Sequence, residues 1–183
     1  MRALAAVLLA LVLSACAQSP STSPTPAGSP TAAPSIAGPA TASPAAVGGA
    51  LVGLLPASVA GSTTTTSSFD AFSRRSPRVF LKVIARVGKI PPDAQLALAY
   101  TPSATIYAVQ VDGVTGDDIL QAFLVERMGA EGASSAPTVD IGGKQVVPIG
   151  ASTRTFGYAS GDTFFYVDCQ DEESAADALN GLP

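Results

Sequence analysis

Hydrophobic and polar positions fall into three regimes along the chain. Ala3 to Leu13 is apolar without a break. From Ala17 to about Ala46 large apolar residues nearly vanish, Ile36 being the exception. At Leu51-Val52-Gly53-Leu54-Leu55-Pro56 they return, and from there they recur in short periodic runs that mark a folded domain over 51–183. Ser62 to Ser68 is rich in threonine, which suits an exposed or edge strand. In Ser76 to Gly88, Phe80, Val83, Ile84 and Val87 share one face at helical spacing. Ser76 offers an N-cap, Pro77 fits the first turn and Gly88 is a favoured stop. The β-branched residues also partly alternate, so a strand competes here, but signals at both ends favour the helix.

Gln95 to Tyr100 and Thr105 to Val111 have strand length and flank Thr101-Pro102-Ser103-Ala104, which predicts a hairpin. In the second run Ile106, Ala108 and Gln110 take one side and Tyr107, Val109 and Val111 the other. Thr115-Gly116-Asp117-Asp118 opens the clearest helix, in a capping-box-like arrangement of Thr115 with Asp118. Its apolar stripe is Ile119, Leu120, Phe123, Leu124 and Met128, and Gly129 is expected to end it. Four strands follow a loop rich in Gly, Ala and Ser. Thr138 to Ile141 and Lys144 to Ile149 flank Gly142-Gly143, while Thr153 to Ala159 and Thr163 to Cys169 flank Ser160-Gly161-Asp162. A last helix over Ser174 to Leu179 has acidic residues before it and Asn180-Gly181 after it. This order predicts an α+β fold: an antiparallel sheet, made of a hairpin and a C-terminal meander, with about three helices packed on one face. A ferredoxin-like split arrangement and a PsbP-like sandwich both fit the order.

The first regime has its own meaning. An apolar run of about eleven residues behind Arg2 is too short to span a bilayer core of ~30 Å, and has the length of a signal-peptide core. The residues after it, Leu13-Ser14-Ala15-Cys16, resemble the lipobox of bacterial prolipoproteins. That resemblance covers the first sixteen positions. It implies diacylglycerol on the Cys16 thiol, removal of 1–15 and anchoring at the outer face of the cell membrane, since two acyl chains hold a protein stably where one does not. Ala15-Cys16-Ala17 also fits a small-x-small rule, which would release a soluble protein after Ala17. The second regime, 16–47, carries Pro24, Pro26, Pro30, Pro34, Pro39 and Pro44 among Ala, Ser, Thr and Gly. It lacks the apolar surface to offset ordering entropy and is expected to be a disordered tether. Its Ser/Thr/Pro composition also suits O-glycans.

Charge and composition narrow the function classes. Charged residues make up 13% of the chain and the formal net charge is −4, which is not the footprint of a nucleic-acid binder. Histidine is absent, removing the commonest general base and metal ligand and arguing against most hydrolases. No nucleophile elbow, zinc-ligand pair or dinucleotide fingerprint is present, so no catalytic, metal or cofactor site is expected. Individual candidates have plain structural readings. Cys169 reads as a small buried hydrophobe. Asp168, Asp171, Glu172 and Glu173 lack the calcium-loop pattern and suit helix capping. Arg74, Arg75, Arg78, Lys82, Arg86 and Lys89 read as a solvated helix face, with an anionic wall polymer, a lipid headgroup or the acidic C-terminal segment as conceivable partners. Gly142-Gly143-Lys144 lacks the spacing, hydroxyl and helix of a phosphate loop. The same triplet, with the ending Ala178-Leu179-Asn180-Gly181-Leu182-Pro183, resembles uncharacterised secreted bacterial proteins, a likeness that names no activity.

The sequence therefore supports a membrane-anchored, non-enzymatic binding or interaction domain whose protein, cell-wall or ligand partner it does not name. A carrier of lipid or another small apolar ligand is the alternative, requiring a cavity lined by residues such as Phe123, Phe164 and Tyr166. A second alternative is an envelope enzyme using Lys144 or paired carboxylates across a cleft.

Overall fold

The strands over 94–100, 104–111 and 163–169 carry buried apolar residues on both of their sides, and the architecture follows from that. The computed structural model describes residues 47–74, 76–150 and 154–183. The leader, Cys16 and nearly all of the tether lie outside them, as does Arg75. The first described elements are helix α1 (Val47–Val52), a short hairpin of β1 (Ser58–Val59) and β2 (Ser62–Thr63), and strand β3 (Thr65–Asp70). Helix α2 (Arg78–Arg86) and a 3-10 turn (Pro91–Asp93) lead to β4 (Ala94–Tyr100) and β5 (Ala104–Val111). Helix α3 (Gly116–Ser134) follows, then β6 (Val139–Ile141), β7 (Lys144–Pro148), β8 (Thr155–Ser160), β9 (Thr163–Cys169) and α4 (Glu172–Asn180). The fold is α+β. Its main sheet has seven strands in the order β3-β4-β5-β9-β8-β7-β6, all antiparallel.

Helices cover both faces of this sheet, not the one face expected. Leu51 of α1 and Ala175, Ala178 and Leu179 of α4 pack with Ala97, Ile106, Ala108, Phe165 and Val167. Phe80, Val83 and Ile84 of α2 and Ile119, Phe123 and Leu124 of α3 pack with Leu96, Val109, Val111 and Phe164 on the other side. The reason lies in β5. Ile106 and Ala108 point one way, Val109 and Val111 the other, and all four are fully buried. A strand apolar on both sides has to be covered on both sides.

The turns and caps explain why these segments stop where they do. Gly142 and Gly143, at φ 62° and 76°, close the β6–β7 hairpin in the left-handed region that glycine enters without penalty. Gly88, at φ 74°, ends α2 with two reverse bonds: its own N–H donates to the Ala85 carbonyl and that of Lys89 to the Ile84 carbonyl. Ser76 does not cap α2. Pro77 occupies the cap position, and no side chain bonds the first turn. Thr115 does cap α3, its hydroxyl oxygen accepting from the Asp118 N–H at 3.2 Å and donating to the Asp118 carboxylate at 2.7 Å. Gly129 ends the helical run that Thr115 starts, as expected: its φ of 77° breaks the helical path, and a second, short helical segment then continues to Ser134. Asp171 caps α4 by accepting the Ser174 N–H at 2.7 Å, and that bond is the main reason its carboxyl sits below the usual aspartate range.

Candidate functional site

On the α2/α3 face, the helices cover one end of β5 and β9 and leave the other end open. The register decides what stands there: Tyr107 lies directly opposite Tyr166, and Thr105 opposite Asp168. Helix α2 brings Phe80 and helix α3 brings Phe123 against the two tyrosines. Ring centroids are 5.5 Å apart for Phe80–Tyr107, 6.2 Å for Tyr107–Tyr166, 5.4 Å for Phe123–Tyr166 and 5.9 Å for Phe80–Phe123, closing a circuit of four aromatics. Such offset and tilted pairs set the negative ring faces against positive edges and hold each ring in place. Above them opens a cleft of about 280 Å3, which Pro77, Thr105, Arg127 and Asp168 also line. It lies just under the ~300–1,000 Å3 of drug-sized ligand sites.

Phe80 and Phe123 are buried floor, while Tyr107 and Tyr166 are half-buried walls. Phe164 stands behind Phe123 at 5.1 Å and is fully buried, so it supports the cleft without lining it. Glycine at 157, on β8 opposite Tyr166, leaves the space that Leu120 of α3 occupies: a Cβ there would stand 2.6 Å from Leu120 Cδ1. That close approach seats the helix and hence Phe123, one turn along.

Apart from Asp168, the polar side chains around this apolar floor make no hydrogen bond among the described residues. Neither tyrosine hydroxyl has a hydrogen-bond partner among the described residues, and Arg127 has neither an ion pair nor a hydrogen bond there. Asp168 accepts from the Thr155 hydroxyl at 3.1 Å through Oδ1. Burial raises the pKa of both phenols above the usual tyrosine value; the nearby Asp168 charge adds to this, and Arg127 partly opposes it at Tyr166. Both therefore stay neutral hydrogen-bond donors near neutral pH. No family model, curated protein or solved structure matches this chain.

A larger hollow of about 660 Å3 lies at the opposite end of the same strands, among Asp93, Gln95, Gln110, Asp112, Thr115 and Asp162. Its wall mixes polar and apolar residues, and two of its carboxylates are engaged: Asp162 accepts from Gln110 Nε2 at 2.6 Å and Asp93 from the Ile90 N–H at 3.2 Å. The other sequence candidates are dispersed. Cys169 is buried at 6% exposure, and burial, aided by Asp168 and Asp171, pushes its thiol up to about 12. Lys144 donates to the Pro183 carbonyl oxygen at 2.9 Å and stands 4.9 Å from the centre of the Tyr158 ring, so it fastens the chain end to β8. Asp171, Glu172 and Glu173 start α4, across the sheet from α2, so the acidic C-terminal segment does not pair with the basic helix. Arg86 instead pairs with Glu126 of α3, while Arg74, Arg78 and Lys82 are exposed and Lys89 is half-buried.

Of the three residues expected to line a cavity, Phe123 and Tyr166 do so. Tyr107, Thr105, Phe80 and Arg127 were not foreseen as site residues. A signal for Arg127 existed: it follows Phe123 by four positions, which places both on one helix face.

Proposed function

We propose that this chain is an extracytoplasmic lipoprotein, held at the outer face of the membrane by acylated Cys16, whose folded domain binds a small ligand without transforming it. The observation that carries the binding reading is the closed circuit of Phe80, Tyr107, Tyr166 and Phe123 beneath unpartnered hydroxyl and guanidinium groups. An apolar floor with a few convergent polar groups is the usual composition of a small-molecule site. The cleft presents no histidine or thiolate, and its one carboxylate is Asp168, which favours binding over catalysis. A volume of about 280 Å3 favours a compact ligand over a lipid with full-length acyl chains. Among the described residues no helix is long and apolar enough to cross a membrane, and the resemblance at Leu13-Ser14-Ala15-Cys16 supplies the anchor. A nuclear magnetic resonance screen of small ring-bearing fragments against the 15N-labelled domain tests the binding reading. Shifts should cluster at residues 105–107, 123–127 and 166–168, and Tyr166→Ala should abolish them. Shifts confined to the larger hollow around Asp162, or none with any fragment, would contradict it.

A further inference from the structure

We infer that the ligand is a small zwitterion with one planar or apolar group, its anion held by Arg127 and its cation by Asp168. This rests on the cleft being the binding site. The two charges line the same cleft and act on the same Tyr166 hydroxyl with opposite sign, but they form no ion pair with each other. Opposite charges kept apart over an apolar floor suit a ligand carrying both signs. The faces of Tyr107 and Tyr166 add attraction for the cationic end, and their hydroxyls can donate to the anionic end. A ligand with one charge would match only Arg127 or only Asp168, whereas a zwitterion matches both. The small volume limits the apolar part to about one ring.

Isothermal titration of the folded domain with four probes tests this: L-phenylalanine, N-acetyl-L-phenylalanine, phenethylamine and benzyl alcohol. L-phenylalanine should bind at least about 10-fold more tightly than either singly charged probe, as hydrogen bonds to charged groups imply. Arg127→Gln should weaken L-phenylalanine about 10-fold or more and leave phenethylamine, which has no carboxylate, unaffected. Asp168→Asn should do the converse with the acetylated probe. Both side chains are exposed, and a thermal melt of each variant checks that the fold survives. Equal affinity for all four probes, with shifts still at Tyr107 and Tyr166, would overturn the zwitterion while leaving the cleft as a binding site. Tightest binding by a singly charged probe would overturn it too. If L-phenylalanine causes no shift while other fragments shift the cleft residues, the inference fails alone. If no fragment does, the binding reading fails with it.

Discussion

Cys169 shows how a single residue's surroundings set its chemistry. It ends β9 facing the α1/α4 core, opposite Ala104. Burial there favours the neutral thiol, so its pKa rises from 9.0 to about 12 in the folded chain. A raised folded-state value contributes stability that is complete below the unfolded pKa and is lost as pH climbs through the folded one. Between about pH 9 and 12 the unfolded chain holds fewer protons at this site than the native one, so stability falls with rising pH. Urea unfolding at pH 8 to 11 should thus show a steeper decline for the native sequence than for Cys169→Ala, and parallel curves would refute the assignment. The same thiol should resist iodoacetamide at pH 8 in the native state and react on unfolding. The sequence already pointed to a buried cysteine through its apolar neighbours Phe164, Phe165 and Val167.

At the scale of elements, α3 is the part that builds the cleft, and its start is fixed by two contacts. Thr115 caps it, and glycine at 116 lets the helix sit on the β8–β9 turn, donating its N–H to the Gly161 carbonyl at 3.0 Å. A Cβ at 116 would stand 2.4 Å from the Thr163 carbonyl oxygen, which is backbone and cannot swing aside. Gly116→Ala should therefore destabilise the domain by about 2 kcal/mol, in the range of overpacked cores, whereas Thr115→Ala should cost about 1 kcal/mol as a lost cap. Urea midpoints at unchanged m measure both; a neutral Gly116→Ala would mean the helix start is not so closely seated. The sequence made this element legible through its cap and stripe, and the hairpins through glycine at 142, 143 and 161. The break at Gly129 was legible too, but the short helical segment after it was not, because residues 130–135 are rich in Gly, Ala and Ser and carry no apolar stripe. Two-sided coverage was encoded in β5, where Ile106 and Ala108 alternate with Val109 and Val111. Counting helices did not reveal it. The cleft draws on residues near 79, 106, 125 and 167, and no spacing rule joins positions brought together by the β5–β9 register.

For the whole molecule, the two faces of the sheet differ in how completely they are covered. The α1/α4 face is closed by Leu51, Leu179 and Leu182. On the α2/α3 face Phe164 is fully buried, while Tyr107 and Tyr166 are half-buried and line a cleft. Under the proposed acylation of Cys16, two acyl chains at ~0.8 kcal/mol per buried methylene would keep the protein at the membrane. The proposed anchoring at Cys16 is directly testable. Mass spectrometry of the amino-terminal peptide, taken from the membranes of a bacterium that processes lipoproteins, tests it most directly. The account predicts a chain starting at Cys16 and carrying the mass of a diacylglyceryl group on its sulfur; a chain starting at Gln18, or an unmodified Cys16 thiol, would contradict it.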